Sequence, residues 1–297
     1  MRKFIVGILL ALSLPSCVKE LDISDVDQNN TQVYAFAFFN PDSLGKVSIG
    51  RIKGITQPFS WVDTAKVLVE NTVSGEVQSL ASVGNGAYQS SKFTFETSDS
   101  LLLSFSLGNK EYSEIERVPE DIAIEKVETY PFIANFVGRT TAFSIRFKDS
   151  AAAKNHYRIW INEAFWEYEL DKDGEVSDST LVSQIMPISG TELPFMRNEY
   201  NVYTNKELLF TDETFNGLNT SLVVYRNAPN DQTIRRLYYD VYLENLSPSL
   251  FHYYNDRNAH LWQQNSITQL PTAVEGNWRN AYGVFGIYRA KRFRVAL

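Results

Sequence analysis

Along most of this chain apolar and polar side chains alternate one for one, and that period of two points to a fold made of strands. Ala65, Val67 and Val69 form one such row, and Leu101, Leu103, Phe105 and Leu107 another. Further along come Phe143, Ile145 and Phe147, then Tyr157, Ile159 and Ile161, then Leu237, Tyr239, Val241 and Leu243. Side chains of a strand point to opposite faces in turn, so each row marks one buried face. Turn chemistry separates the rows. Gly84-Asn85-Gly86 offers the positive φ angles of a type I′ hairpin, and Asn40-Pro41-Asp42 with Gly45 marks another reversal. Arg117-Val118-Pro119-Glu120-Asp121 reads as a linker between two folded segments, 31–119 and 122–297. The expected architecture is mostly β, with one sandwich in each segment. A single helix is expected near 248–263: Ser247 can cap it, Pro248 suits its first turn, and Leu250, Tyr254, Arg257 and Leu261 fall on one stripe.

The N-terminus reads as an address. Arg2 and Lys3 precede an apolar run from Phe4 to Leu14, too short to span a bilayer, which takes about 20 residues, but suited to a secretory signal. Leu14-Pro15-Ser16-Cys17 follows, and this resembles the lipobox of bacterial lipoproteins. The resemblance implies cleavage after Ser16 and lipid on Cys17, with 17–30 as a lipidated tether. Cys17 is the only cysteine, and acylation would consume a thiol otherwise left unpaired outside the cell. The simpler alternative is an ordinary signal peptide over 1–16 with Cys17 incidental.

Removing residues 1–16 takes away Arg2 and Lys3 and no acid, which moves the formal net charge from −7 to −9. An acidic chain of this kind argues against nucleic acid as a partner. Without disulfides the cores must be held by apolar burial. The 16 Tyr and 19 Phe serve strands and recognition surfaces alike.

Candidate chemistry is sparse. His252, Asp256 and His260 share a helix face at i, i+4 and i+8, but two turns separate the histidines by about 12 Å, so a solvated face is the plainer reading and no metal is expected. Asp171 to Asp178 is oxygen-rich like a calcium loop, yet Asp173-Gly174 between two strands more simply makes a hairpin. Glu163 and Glu167 flank Phe165-Trp166, which would suit a sugar, and share a strand face; an exposed edge with solubilising acids is the plainer reading. No Gly-x-Ser-x-Gly elbow is present, so no catalytic residue and no cofactor is expected. Trp160, Tyr238 and Tyr242 lie on the faces opposite the aliphatic rows. Either they are buried between domains or they form a contact patch for a protein or a glycan.

Several motifs coincide with a known pattern. Val83-Gly84-Asn85-Gly86-Ala87-Tyr88, the Val-Pro linker, Leu209-Phe210-Thr211-Asp212-Glu213-Thr214-Phe215-Asn216-Gly217, Leu246-Ser247-Pro248-Ser249 and Asn280-Ala281-Tyr282-Gly283-Val284-Phe285-Gly286-Ile287-Tyr288 together resemble a Bacteroidota lipoprotein family known as domain of unknown function 4249. Many members carry Gly-Gly-Leu-Gly near the tail, where this chain has Asn-Ala-Tyr-Gly. The resemblance implies an immunoglobulin-like first sandwich and no catalytic residues. It also implies an outer-membrane accessory protein that accompanies a TonB-dependent receptor, a β-barrel. The acidic stretch behind Cys17, with Lys19-Glu20, Asp22, Asp25 and Asp27, resembles the surface-export signals of Bacteroidota lipoproteins, which implies the cell surface; the alternative is a solvated acidic tether, which leaves the periplasmic face open. The competing function is a surface module that binds a glycan or a peptide; a hydrolase built on paired carboxylates is a third.

Overall fold

The computed structural model describes residues 31–297 apart from 54–57, 92, 94, 135–136, 152, 171, 174, 191–205, 228–233 and 265–272. Cys17, the signal segment and the tether lie outside the described residues. The first segment forms β1 (Thr31–Phe39), β2 (Lys46–Lys53), β3 (Ser60–Trp61), β4 (Lys66–Asn71), β5 (Val77–Gly84), β6 (Ala87–Gln89), β7 (Ser100–Leu107) and β8 (Lys110–Arg117). The second forms β9 (Ala123–Ala134), β10 (Gly138–Lys148), β11 (His156–Leu170), β12 (Val176–Ile185), β13 (Ile188–Gly190), β14 (Leu208–Thr211), β15 (Asn219–Arg226), β16 (Arg235–Leu246), the helix α1 (Pro248–Gln263) and β17 (Phe285–Ala296).

The fold is mostly β, as the alternation requires, with two sandwich-like parts. In the first, Val33, Ala35, Ala37, Val47 and Ile49 face Val67, Val69, Leu101, Leu103 and Phe105 across one core. In the second, Phe143, Ile145, Phe147, Leu222 and Val224 face Tyr157, Ile159, Ile161, Tyr239, Val241 and Leu243. The predicted reversal at Gly84-Asn85-Gly86 joins β5 to β6, and Asn85 and Gly86 both take positive φ, 52° and 70°.

The two parts share a strand. One sheet of thirteen strands runs β12-β11-β16-β17-β1-β2-β6-β5-β4-β7-β8, with β14 and β3 attached at its side. A second sheet holds β13-β15-β10-β9. The strand β17 is the splice. Its first residues pair parallel with β1, Phe285 opposite Ala37 and Ile287 opposite Phe39. The remainder pairs antiparallel with β16, Tyr288 opposite Leu246 through Ala296 opposite Tyr238. Trp278, Phe285 and Ile287 therefore complete the first core although they lie near the end of the chain. The linker is pinned by the same region. Arg289 donates Nε–H to the Pro119 carbonyl at 3.1 Å, Asn245 donates to the Glu120 carbonyl at 3.0 Å, and Lys291 pairs with Asp121.

Helix α1 occupies the predicted span and covers the outer side of the splice. Leu250 and Tyr254 pack with Leu246 and Val284, and Phe36, Phe38 and Tyr253 join them. Gly286 makes this possible: a Cβ there would lie 2.6 Å from that of Leu250. The expected stripe fails at its far end, where Leu261 is exposed. Ser247 sits at the cap position, but its Oγ accepts the Ile287 N–H at 3.2 Å, so it locks the helix to β17 as well. Glu116 of β8 reaches the same point and hydrogen-bonds Ser249, Ser247 and Asn277. Burial pushes its carboxyl above the ordinary range, against those three bonds. A folded-state pKa raised in this way yields stability that is present below the unfolded pKa and lost as pH rises through the folded one. Glu116→Gln should therefore gain on the parent as pH rises from 4 to 7, read as the difference in urea midpoints.

Candidate functional site

The even-numbered side chains of β11 from Arg158 to Asn162, and of β16 from Tyr238 to Glu244, point away from the second core, and the three predicted aromatics are among them; a register shift before Tyr238 turns Arg236 to the other side. Register sets Trp160 opposite Tyr242, and Tyr242 opposite Arg292 on β17. The rings of Trp160 and Tyr242 stack 3.8 Å apart and 2° from parallel. Trp160 donates Nε1–H to Glu244 at 2.9 Å. Beside them Arg294 donates twice to Asp240, at 2.7 Å each, and its guanidinium lies 3.8 Å over the ring of Tyr238. All three aromatics are half-buried. They sit on the outer face of the larger sheet, where it covers the second core, rather than in either core. The face continues onto β12, where Leu181 stands opposite Trp166 and Ile185 opposite Asn162; these two apolar side chains are 52% and 42% exposed.

This ladder is anchored at one end by a buried charge cluster. Arg158 donates to Glu244 at 2.6 Å and lies 3.4 Å from Glu207. Arg257 of α1 also pairs with Glu207. The two guanidinium groups both lie over the Tyr254 ring, at 4.3 and 4.6 Å. Burial raises the pKa of Glu244, and Arg158 with Trp160 Nε1–H pulls it back. Together these contacts hold the helix on the sheet and fix the tilt of Trp160.

The other candidates are dispersed. Glu163, expected at an exposed edge, is 1% exposed and faces the core side, where it pairs with Arg226 and Arg236 and accepts from Gln184. The reason is parity: it continues the inward row of Ile159 and Ile161. Glu167 is exposed. His252 is exposed on α1, Asp256 accepts the Glu275 N–H at 3.3 Å, and His260 bonds Gln264. Among the described residues no group of three acidic, His or Cys side chains is placed to hold a metal ion. Within 171–178, β11 and β12 close a hairpin with Leu170 opposite Val176; Asp171 and Gly174 lie outside the described residues.

A polar knot that the alternation does not reveal lies within the second part. Asp149 accepts from Tyr157 O–H and, at 2.6 Å, from the Gly217 N–H. Asp212 accepts the Asn155 N–H at 2.8 Å. The Asn155 amide reaches both carboxylates at 3.2 Å, and Asn245 donates to Asn155 at 2.9 Å. Burial raises the pKa of Asp149 against those bonds. Asp149 and Asp212 are thus a close carboxylate pair, but both are buried and committed to the chain itself. The motif Leu209–Gly217 now has a physical content: Asp212 accepts from Asn155, Phe215 fills the core and Gly217, at φ +76°, presents its N–H to Asp149. Asp212 with Gly217 five residues on was the available signal.

No curated protein matches this chain. A family model, described as domain of unknown function (DUF4249), matches residues 21–294. With nearly the whole chain covered, the protein belongs to the DUF4249 family.

Proposed function

We propose that this protein is a non-catalytic docking module, held to the outer membrane by lipid on Cys17, whose second sandwich engages an outer-membrane β-barrel of the TonB-dependent receptor type. The lipobox-like Leu14–Cys17 and the family's context support the location. The observation that carries the docking reading is the outer face of β11, β16 and β17. Trp, Tyr and Arg are the side chains that dominate protein interfaces. Here Glu244 and Asp240 hold them in place beforehand, which lowers the entropy lost on binding. A glycan- or peptide-binding module would use the same residues. The stacking of Trp160 on Tyr242 leaves each ring at most one face for a sugar, and the charged Arg294–Asp240 pair beside Tyr238 favours a protein partner.

Affinity purification of the tagged chain from gently solubilised membranes should recover a β-barrel protein. Tyr242→Ala combined with Arg292→Glu should remove that recovery without lowering the thermal midpoint by more than a few degrees. Cys17→Ala should move the protein to the soluble fraction. Recovery of the chain alone would sink the docking reading, and a glycan-array hit abolished by Tyr242→Ala would put the binding module in its place.

A further inference from the structure

Three long strands end a sheet in this fold. The larger sheet ends at β8 and β12, and β9 ends the smaller one. Free edges invite pairing with other chains, and proteins blunt them with charge, proline or shortness. Two of the three are blunted. Strand β8 carries Lys110, Glu111, Glu114, Glu116 and Arg117 in eight residues, and β9 carries Glu125, Lys126, Glu128 and Pro131. Strand β12 is different. It reads Val-Ser-Asp-Ser-Thr-Leu-Val-Ser-Gln-Ile, with one charge, Asp178, and no proline. Nine of its ten residues are exposed. Its inner edge pairs with β11 along its length, and among the described residues nothing pairs with its outer edge.

We propose that β12 pairs antiparallel with β12 of a second copy of this chain, giving a two-fold dimer with one sheet continuous across both copies. A two-fold axis through a sheet keeps each side chain on its own face, so residues that meet are of equal parity. With Leu181 on the axis, Leu181 meets Leu181 of the second copy, Ser179 meets Ser183, Thr180 meets Val182 and Asp178 meets Gln184. Like charges meet nowhere. Moving the axis to Thr180 sets Leu181 against Ser179 and Asp178 against Val182, which wastes both. The Leu181 register also places each Trp166 beside its own Leu181, so four apolar side chains form one row across four strands.

Direction follows from charge. The tip of the β11–β12 hairpin carries Asp173 and Glu175. Parallel pairing would set two such tips side by side. Antiparallel pairing sends them to opposite ends, about 40 Å apart at 3.4 Å per residue, well past the screening length of roughly 8 Å. One strand pair is a small interface, at the low end of specific association, so the dimer is expected to dissociate in the micromolar range.

Sedimentation velocity of the full chain in detergent should show a concentration-dependent monomer–dimer equilibrium. Leu181→Lys, which sets two cations on the axis at an exposed position, should weaken it at least about tenfold, a change of 1.4 kcal/mol, with the thermal midpoint unchanged. Ser179→Lys with Ser183→Glu in the same chain should tighten it severalfold, since each new lysine then meets a new glutamate of the second copy. A monomer throughout the micromolar range overturns the proposal, as does a dimer that Leu181→Lys leaves intact. A monomeric chain that captures a β-barrel through β12 also overturns it, while leaving the docking reading in place.

Discussion

Gly283→Val should unfold the joint between the two sandwiches, with a loss of more than about 4 kcal/mol, a size reserved for core or backbone disruption. Gly283 has φ +104°, where a β-branched residue is strongly disfavoured. A Cβ there would stand 2.1 Å from the Ala35 carbonyl oxygen of β1. That oxygen cannot swing aside. It already accepts the Trp278 Nε1–H at 2.9 Å, and β1 is stitched to this segment by Ala35 N–H to Tyr282 and Ala37 N–H to Val284, both 2.8 Å. Opposite, a Cβ on Gly276 would meet the Gly283 carbonyl at 1.8 Å, so two backbone segments lie against each other with Gly283 between. Displacing it removes Trp278, Phe285 and Ile287 from the first core. Urea unfolding followed by tryptophan fluorescence reads the effect. Gly84→Ala is the comparison: φ is +92° and nothing lies within 4 Å of the added atom, so the cost should be about 1–2 kcal/mol of backbone strain. If the two variants unfold alike, steric closure at the splice is not what holds the parts together.

Arg158→Met should cost about 3–5 kcal/mol at neutral pH, the usual result of leaving one partner of a buried ion pair behind. Glu244 would keep only the Trp160 N–H, and the pKa that burial already raises would rise further. The sign is testable. With the folded-state pKa above the unfolded one, the penalty should be small below pH 4.5 and grow as the pH climbs through the folded value. Urea midpoints at pH 4 and pH 7 distinguish this from a packing loss, which would be the same at both. Adding Glu244→Leu to Arg158→Met should restore much of the loss, since an apolar replacement of the whole pair is often neutral. An unchanged midpoint for the single variant would mean that Glu244 reaches water.

Much of this was legible from residues alone, and the rest was not for definite reasons. The inward rows at Leu101–Phe105 and Phe143–Phe147 stand in the cores because a strand's two faces follow from covalent geometry. Helix α1 was legible because a cap, an early proline and spacing agree locally. Glu163 was misplaced because its inward parity gave no hint that two arginines, Arg226 and Arg236, would meet it from β15 and β16. The aromatic face was left open between burial and exposure, since periodicity names a face without saying what lies against it. The knot of Asp149, Asn155, Asp212 and Asn245 joins residues up to 90 apart in sequence.

What the sequence determined alone was therefore local: strands, turns and one helix. These depend on backbone conformation and on neighbours within a few residues. The tertiary structure decided that the last strand serves both sandwiches, that Trp160, Tyr238 and Tyr242 face outward, and that β12 stands at the end of its sheet. Each of these is a matter of which distant strand pairs with which, and that choice rests on steric fits such as Gly283 against Ala35 and Gly286 against Leu250, which exist only once the chain has closed.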